Sequence, residues 1–141
     1  VGAVRHLLFY LTAGIVALAA HIALQPDSAV PVIGASGAVA GVMGAYFVWF
    51  PRAPVATILL IFLRELPASV VLGIWFVSQF FTGADSGVAW AAHVGGFAFG
   101  AAAGLLVRAS PALRLLVWRE PWRRLSRGPW DPTGGMRTPR Y

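Results

Sequence analysis

The sequence predicts an all-α protein, a polytopic membrane bundle with about four transmembrane helices. Three observations carry that prediction. Only 11% of the 141 residues are charged, 58% are hydrophobic, and mean hydropathy is +0.73; a soluble domain carries about 25% charged residues. Four apolar stretches approach the roughly 20 residues a helix needs to cross hydrocarbon. The arginines fall outside those stretches and on alternate sides of them, the pattern that orients membrane helices.

The first stretch, residues 7–24, ends before Gln25, Pro26 and Asp27. The second, residues 36–50, stops at Pro51, which cannot continue a helix. The third, residues 67–81, opens on Pro67, a residue suited to a first helical turn, and "TGADSG" ends it. The fourth, residues 88–107, ends at Arg108. Between the second and third lies "RAPVATILLIFLRE", apolar but bracketed by Arg52 and Arg64–Glu65. It reads as an interfacial or partly re-entrant segment, with a fifth short span as the rival.

All eleven basic residues are arginines, and eight lie from Arg108 onward. Residues 108–141 therefore carry +6 while residues 1–107 balance at zero. Arg5, Arg52, Arg64 and the tail mark the cytoplasmic side, and the arginine-free loops 25–35 and 82–87 the outside. The chain thus divides into a transmembrane core, 1–107, and a basic, flexible cytoplasmic tail, 108–141. Beside a membrane core, anionic lipid explains the basic tail more cheaply than nucleic acid does, so the lipid bilayer is the expected partner and nucleic acid is not. Cysteine is absent, which removes disulfides and thiol chemistry. The His, Asp and Glu residues do not cluster at ligand spacing, so no metal or cofactor is expected. The opening "VGAVRHLLFYL" runs on too long for a signal peptide; it reads as the start of a fragment or of a chain trimmed upstream.

Two stretches carry chemistry. In "VIGASGAVAG", Ser36 heads the second helix. At about 100° per residue, Ser36, Gly37, Ala40, Gly41 and Gly44 share a face about 140° wide. In the fourth helix, His93 heads a stripe of Gly96, Gly100 and Gly104 about 80° wide. Small faces let helices approach closely in lipid. If these two faces pack together, Ser36 and His93 meet near the outer end of both helices. An ionisable residue within a span is costly and points to function. A histidine can take the serine proton and turn a poor nucleophile into a good one. The rival for Ser36 is a packing face with its hydroxyl bonded to its own backbone; for His93, a satisfied polar residue. No acidic third member is evident, because Asp27 and Asp85 lie in outer loops and turn formation accounts for "GADSG". The serine stretch is not the G-x-S-x-G elbow either, since position 38 is Ala.

"GASGAVAGVMGAY" followed by "AHVGGFAFG" resembles the rhomboid family of intramembrane serine proteases. The matching signatures are Gly34-Ala35-Ser36-Gly37 and His93-x-x-Gly96-x-x-x-Gly100. "LLFYLTAG", "ELPASVVLGIWFVSQ" and "GVAWAAHVGG" are similar to bacterial members, and the likeness covers residues 5–107. The resemblance implies a six-helix core of which this chain supplies the last four helices. It implies Ser36 as nucleophile, His93 as general base and then acid, and the backbone around Gly34 and Ser36 as donors to the oxyanion. It also implies a wet outer cavity capped by loop 82–87, with the third span taking part in substrate access. Many active relatives carry a His and an Asn on core helix two, a helix upstream of Val1. Some place a Tyr against the histidine four residues after the nucleophile; that position here is Ala40, so His93 must be positioned by something else or held more loosely.

The resemblance implies a serine endopeptidase that cleaves transmembrane substrate proteins with a Ser–His dyad. It would sit in a bacterial cytoplasmic membrane with its C-terminus inside. The alternative is an inactive rhomboid-like protein that binds membrane clients; a packing or transport module is a further rival. Among the other polar residues, His21 reads as interfacial or packing and His6 as a cytoplasmic flank. Gln79 reads either as lining the water path or as bonding a neighbouring helix.

Overall fold

A computed structural model describes residues 2–29, 32, 35–59, 62–82, 87–117, 130–131 and 135–136. The elements are α1 (Ala3–Leu24), α2 (Ser36–Trp49), β1 (Pro54–Leu59), β2 (Phe62–Pro67), α3 (Ala68–Ser78), α4 (Trp90–Ala109), α5 (Pro111–Val117), and the short strands β3 (Trp130–Asp131) and β4 (Gly135–Met136). A 3₁₀ turn, Gln79–Phe81, extends α3. The result is a bundle of apolar helices, as the composition predicts. By length and apolarity α1 and α4 can cross a membrane, while α2 and the α3 unit are shorter apolar helices.

The distribution of side chains is that of a protein in lipid. The buried apolar residues are nearly all alanines, among them Ala13, Ala17, Ala40 and Ala91, with Phe97 the one large member among the described residues. The large aliphatics point outward: Leu7, Leu8, Ile15 and Ile22 on α1 and Leu105 and Leu106 on α4 are all more than half exposed. A water-soluble bundle buries such residues; between helices in lipid, small residues form the contacts instead.

Those small residues set the geometry. A side chain added at Gly96 would strike the Gly37 carbonyl, one at Gly100 the Gly41 carbonyl, and one at Gly44 the Phe97 carbonyl. Farther along, Gly104 faces Ala45, Val48 and Trp49. The contact positions rise together in both helices, so α2 and α4 run parallel with their backbones close. On α1 the order reverses: Ala17 lies against Gly37 and Ala13 against Gly41. Helix α1 is therefore antiparallel to both and completes a three-helix core. Gly73 of α3 differs, because its nearest neighbour is Phe47 Cε2 at 4.0 Å. Gly73→Ala should leave the thermal midpoint in detergent unchanged or raise it, since alanine favours a helix over glycine by up to about 1 kcal/mol.

The segment between α2 and α3, expected to be interfacial or partly re-entrant, is extended chain in β1 and β2. The two strands pair antiparallel, Val55 with Leu66, Thr57 with Arg64 and Leu59 with Phe62. No fifth helical span forms there among the described residues. Pro54 and Pro67 pair with each other at the open end of the ladder, where a missing N–H costs least. β-Branched Val55, Thr57 and Ile58 favour the extended chain. Ala68 N–H to Ala53 O and Ser69 N–H to Pro51 O, both 2.9 Å, tie the base of the strand pair to the start of α3. Pro67 accordingly ends β2 and caps α3 rather than lying inside its first turn.

Helix boundaries shift slightly elsewhere. Helix α4 runs through the expected boundary at 107 to Ala109, and Pro111 starts α5 directly after Ser110. The first part of the tail thus carries a short helix. Most of residues 118–141 lies outside the described residues.

Candidate active site

Ser36 is the first residue of α2 and is exposed. Ala35 occupies the cap position, and no side chain caps the helix. The Ser36 hydroxyl is therefore not spent on helix capping. The first N–H groups of a helix lack intrahelical acceptors and lie at the positive end of its dipole, so an oxyanion formed at Ser36 has donors nearby. Gly34 and Asp85 lie outside the described residues.

His93 lies in the first turn of α4, half-buried. Its register to Ser36 follows from the neighbouring contacts. Gly37, one residue after Ser36, faces Ala92, one residue before His93; a Cβ on Gly37 would lie 3.7 Å from Ala92 Cβ. Gly37 pairs with Gly96 and Gly41 with Gly100, so Ser36 is level with Gly95 in the parallel pair. His93 is two residues from that level, about 3 Å along the axis at about 1.5 Å per residue. The two side chains thus share one end of the tightest helix pair. Among the described residues no hydrogen bond joins them directly.

The ring of His93 is held by α3. Gln79 Oε1 lies 2.8 Å from His93 Nδ1. Gln79 is 7% exposed, and its amide nitrogen donates to Trp75 O (3.1 Å) and Ser78 Oγ (3.3 Å). The Trp75 ring lies over the imidazole, with centroids 5.7 Å apart and planes at 43°. Trp75 also contacts Phe97, which in turn meets Phe76 and Phe47. The position of Ala40 is buried in the helix interface; the aromatic partner of the histidine comes from α3 instead. Sequence reasoning missed Trp75 and left Gln79 between two roles. The usable signal was their i, i+4 spacing, which puts both on one face of a short helix.

Trp75→Ala should lower the thermal midpoint in detergent, with a loss of about 2–3 kcal/mol, below the 3–5 kcal/mol of a fully buried aromatic. Trp75→Phe should retain most of the stability.

The other two histidines stand at opposite ends of α1. His21 is buried near the end of α1 at 5% exposure, as a packing role requires, and among the described residues its Nδ1 has no hydrogen-bond partner. His6 lines an apolar cleft of about 290 Å³ with Arg5, Phe9, Tyr46 and Trp49. That cleft opens at the N-terminal end of α1 and the C-terminal ends of α2 and α4, the far end of the bundle from Ser36 and His93.

A bundle of apolar helices, packed through glycines and alanines and headed at one end by a serine and a histidine, defines a helical integral membrane protein. The Rhomboid domain matches residues 1–110, and the chain belongs to the rhomboid family. Members of that family are generally serine intramembrane proteases. No curated protein and no solved structure matches the chain.

Proposed function

We propose that this protein is an intramembrane serine endopeptidase acting through Ser36 and His93. The observation that carries the reading is the register of α2 on α4, which sets both residues at one end of a parallel, glycine-packed pair. Ser36 Oγ attacks the scissile carbonyl carbon while the imidazole of His93 takes its proton. The oxyanion is met by N–H groups at the start of α2. Collapse breaks the C–N bond, and the imidazolium returns the proton to the leaving amine. Water then attacks the ester on Ser36, again with His93 as base, and releases the carboxylate product and the free serine. Exposure of Ser36 at the helix start leaves it open to substrate and to water.

The substrates are transmembrane proteins cleaved within or near the bilayer. The chain crosses a bacterial cytoplasmic membrane several times, with the arginine-rich C-terminus inside. The two shorter helices, α2 and the α3 unit, span with the shelter of their neighbours in the bundle. The test is cleavage of a single-span substrate in proteoliposomes by the full-length protein. Wild type should cut. Normal cutting by Ser36→Ala removes the assignment to this serine and leaves it a packing residue. Absence of cutting by wild type favours the client-binding alternative.

A further inference from the structure

We propose that Gln79 is the positioning residue that fills the place of an acidic third member, fixing His93 with its proton on Nδ1 and its lone pair on Nε2. This rests on the reading of His93 as general base. The argument starts from the direction of the Gln79 amide. Its nitrogen lies 3.1 Å from Trp75 O and 3.3 Å from Ser78 Oγ. The backbone carbonyl can only accept, so the NH₂ group belongs on that side. The carbonyl oxygen of the amide then faces His93 Nδ1 at 2.8 Å. An amide oxygen cannot donate, so Nδ1 must carry the ring proton. A neutral imidazole with Nδ1–H has its lone pair on Nε2, the form a serine proton acceptor needs.

The choice of glutamine over a carboxylate has a physical reason. Gln79 is nearly fully buried among apolar helices. An ionised carboxylate there carries a heavy desolvation cost, and a protonated one can donate to Nδ1 and select the wrong tautomer. The amide supplies an acceptor without a charge. Trp75 serves the same end twice: its carbonyl orients the amide and its ring flanks the imidazole. The competing view is that Gln79 merely satisfies a buried polar group at the end of α3. The two views differ in the protonation state of the ring.

The experiment is ¹⁵N NMR of His93 in the full-length protein at neutral pH, beside cleavage kinetics of wild type and Gln79→Met, a replacement of similar length and no acceptor amide. The wild-type spectrum should show Nδ1 protonated and Nε2 bare. Gln79→Met should mix the tautomers and lower kcat about 10–100-fold, the usual range for loss of a partner that orients a histidine, with KM within about twofold. A wild-type ring protonated on Nε2 overturns the proposal, and that spectrum needs no variant to fold. A fall in kcat with an unchanged tautomer also overturns it and makes Gln79 a packing residue. An Nδ1–H wild-type ring whose tautomer shifts in Gln79→Met, in a protein that cleaves nothing, upholds the positioning role while the protease reading fails.

Discussion

Ser36→Ala should lower the cleavage rate of a single-span substrate by at least about 10³-fold, and His93→Ala by a similar factor, because a nucleophile and its base act as one unit. The double variant should be no slower than either single one. The structure makes this a clean comparison. Ser36 is exposed and makes no capping bond, so among the described residues its loss removes no side-chain hydrogen bond from the fold. Alanine is also the stronger helix former. Thermal unfolding of Ser36→Ala should therefore match wild type while activity disappears. His93→Ala removes the partner of Gln79 and leaves a buried amide oxygen unpaired. It should cost about 1–3 kcal/mol of stability as well as activity. Cleavage measured per folded protein separates the two effects. A double variant much slower than either single one would mean that the residues act independently.

Gly100→Leu should disrupt the bundle and abolish cleavage with it. A Cβ at position 100 meets the carbonyl and Cα of Gly41, which are backbone atoms that cannot rotate away. The same holds for Gly96 against Gly37 and for Gly44 against Phe97. Overpacking usually costs about 1–3 kcal/mol. Here a whole side chain must fit between two main chains, so the loss should reach or exceed the top of that range. Parting α2 from α4 also parts Ser36 from His93, so activity should fall even in protein that survives. Gly100→Ala should sit between wild type and Gly100→Leu in thermal midpoint. Gly73, open toward Phe47 at 4.0 Å, is the internal control. If Gly100→Leu unfolds at the wild-type temperature, the close approach of α2 to α4 is wrong.

Helices were the legible part of this sequence. Each of α1, α2 and α4 is an apolar run; Gln25–Pro26 and Pro51 mark the stops of the first two, while α4 runs past the expected stop at Arg108 to Ala109. Their ends accordingly moved by only a few residues. The strand pair at 54–67 was hidden because a short apolar run has no periodicity that separates strand from helix. Its terminal prolines and β-branched residues were the signal, and they count only against a helical default. The faces of α2 and α4 could be drawn because glycine is sparse enough to make a pattern. The alanine stripe of α1, Ala13 and Ala17, could not, since alanine occurs all along the chain. The hold of Gln79 on His93 depends on where α3 leans, which is tertiary information. A glutamine and a histidine fourteen positions apart on different helices leave no local trace.

The most direct test of the central claim is labelling of the full-length protein in membranes with a fluorophosphonate, followed by mapping of the modified residue. The probe reacts with a serine only when a base activates it. The account predicts one adduct, on Ser36, absent in Ser36→Ala and strongly reduced in His93→Ala. Labelling that persists undiminished in either variant, or that maps to another serine, would contradict it.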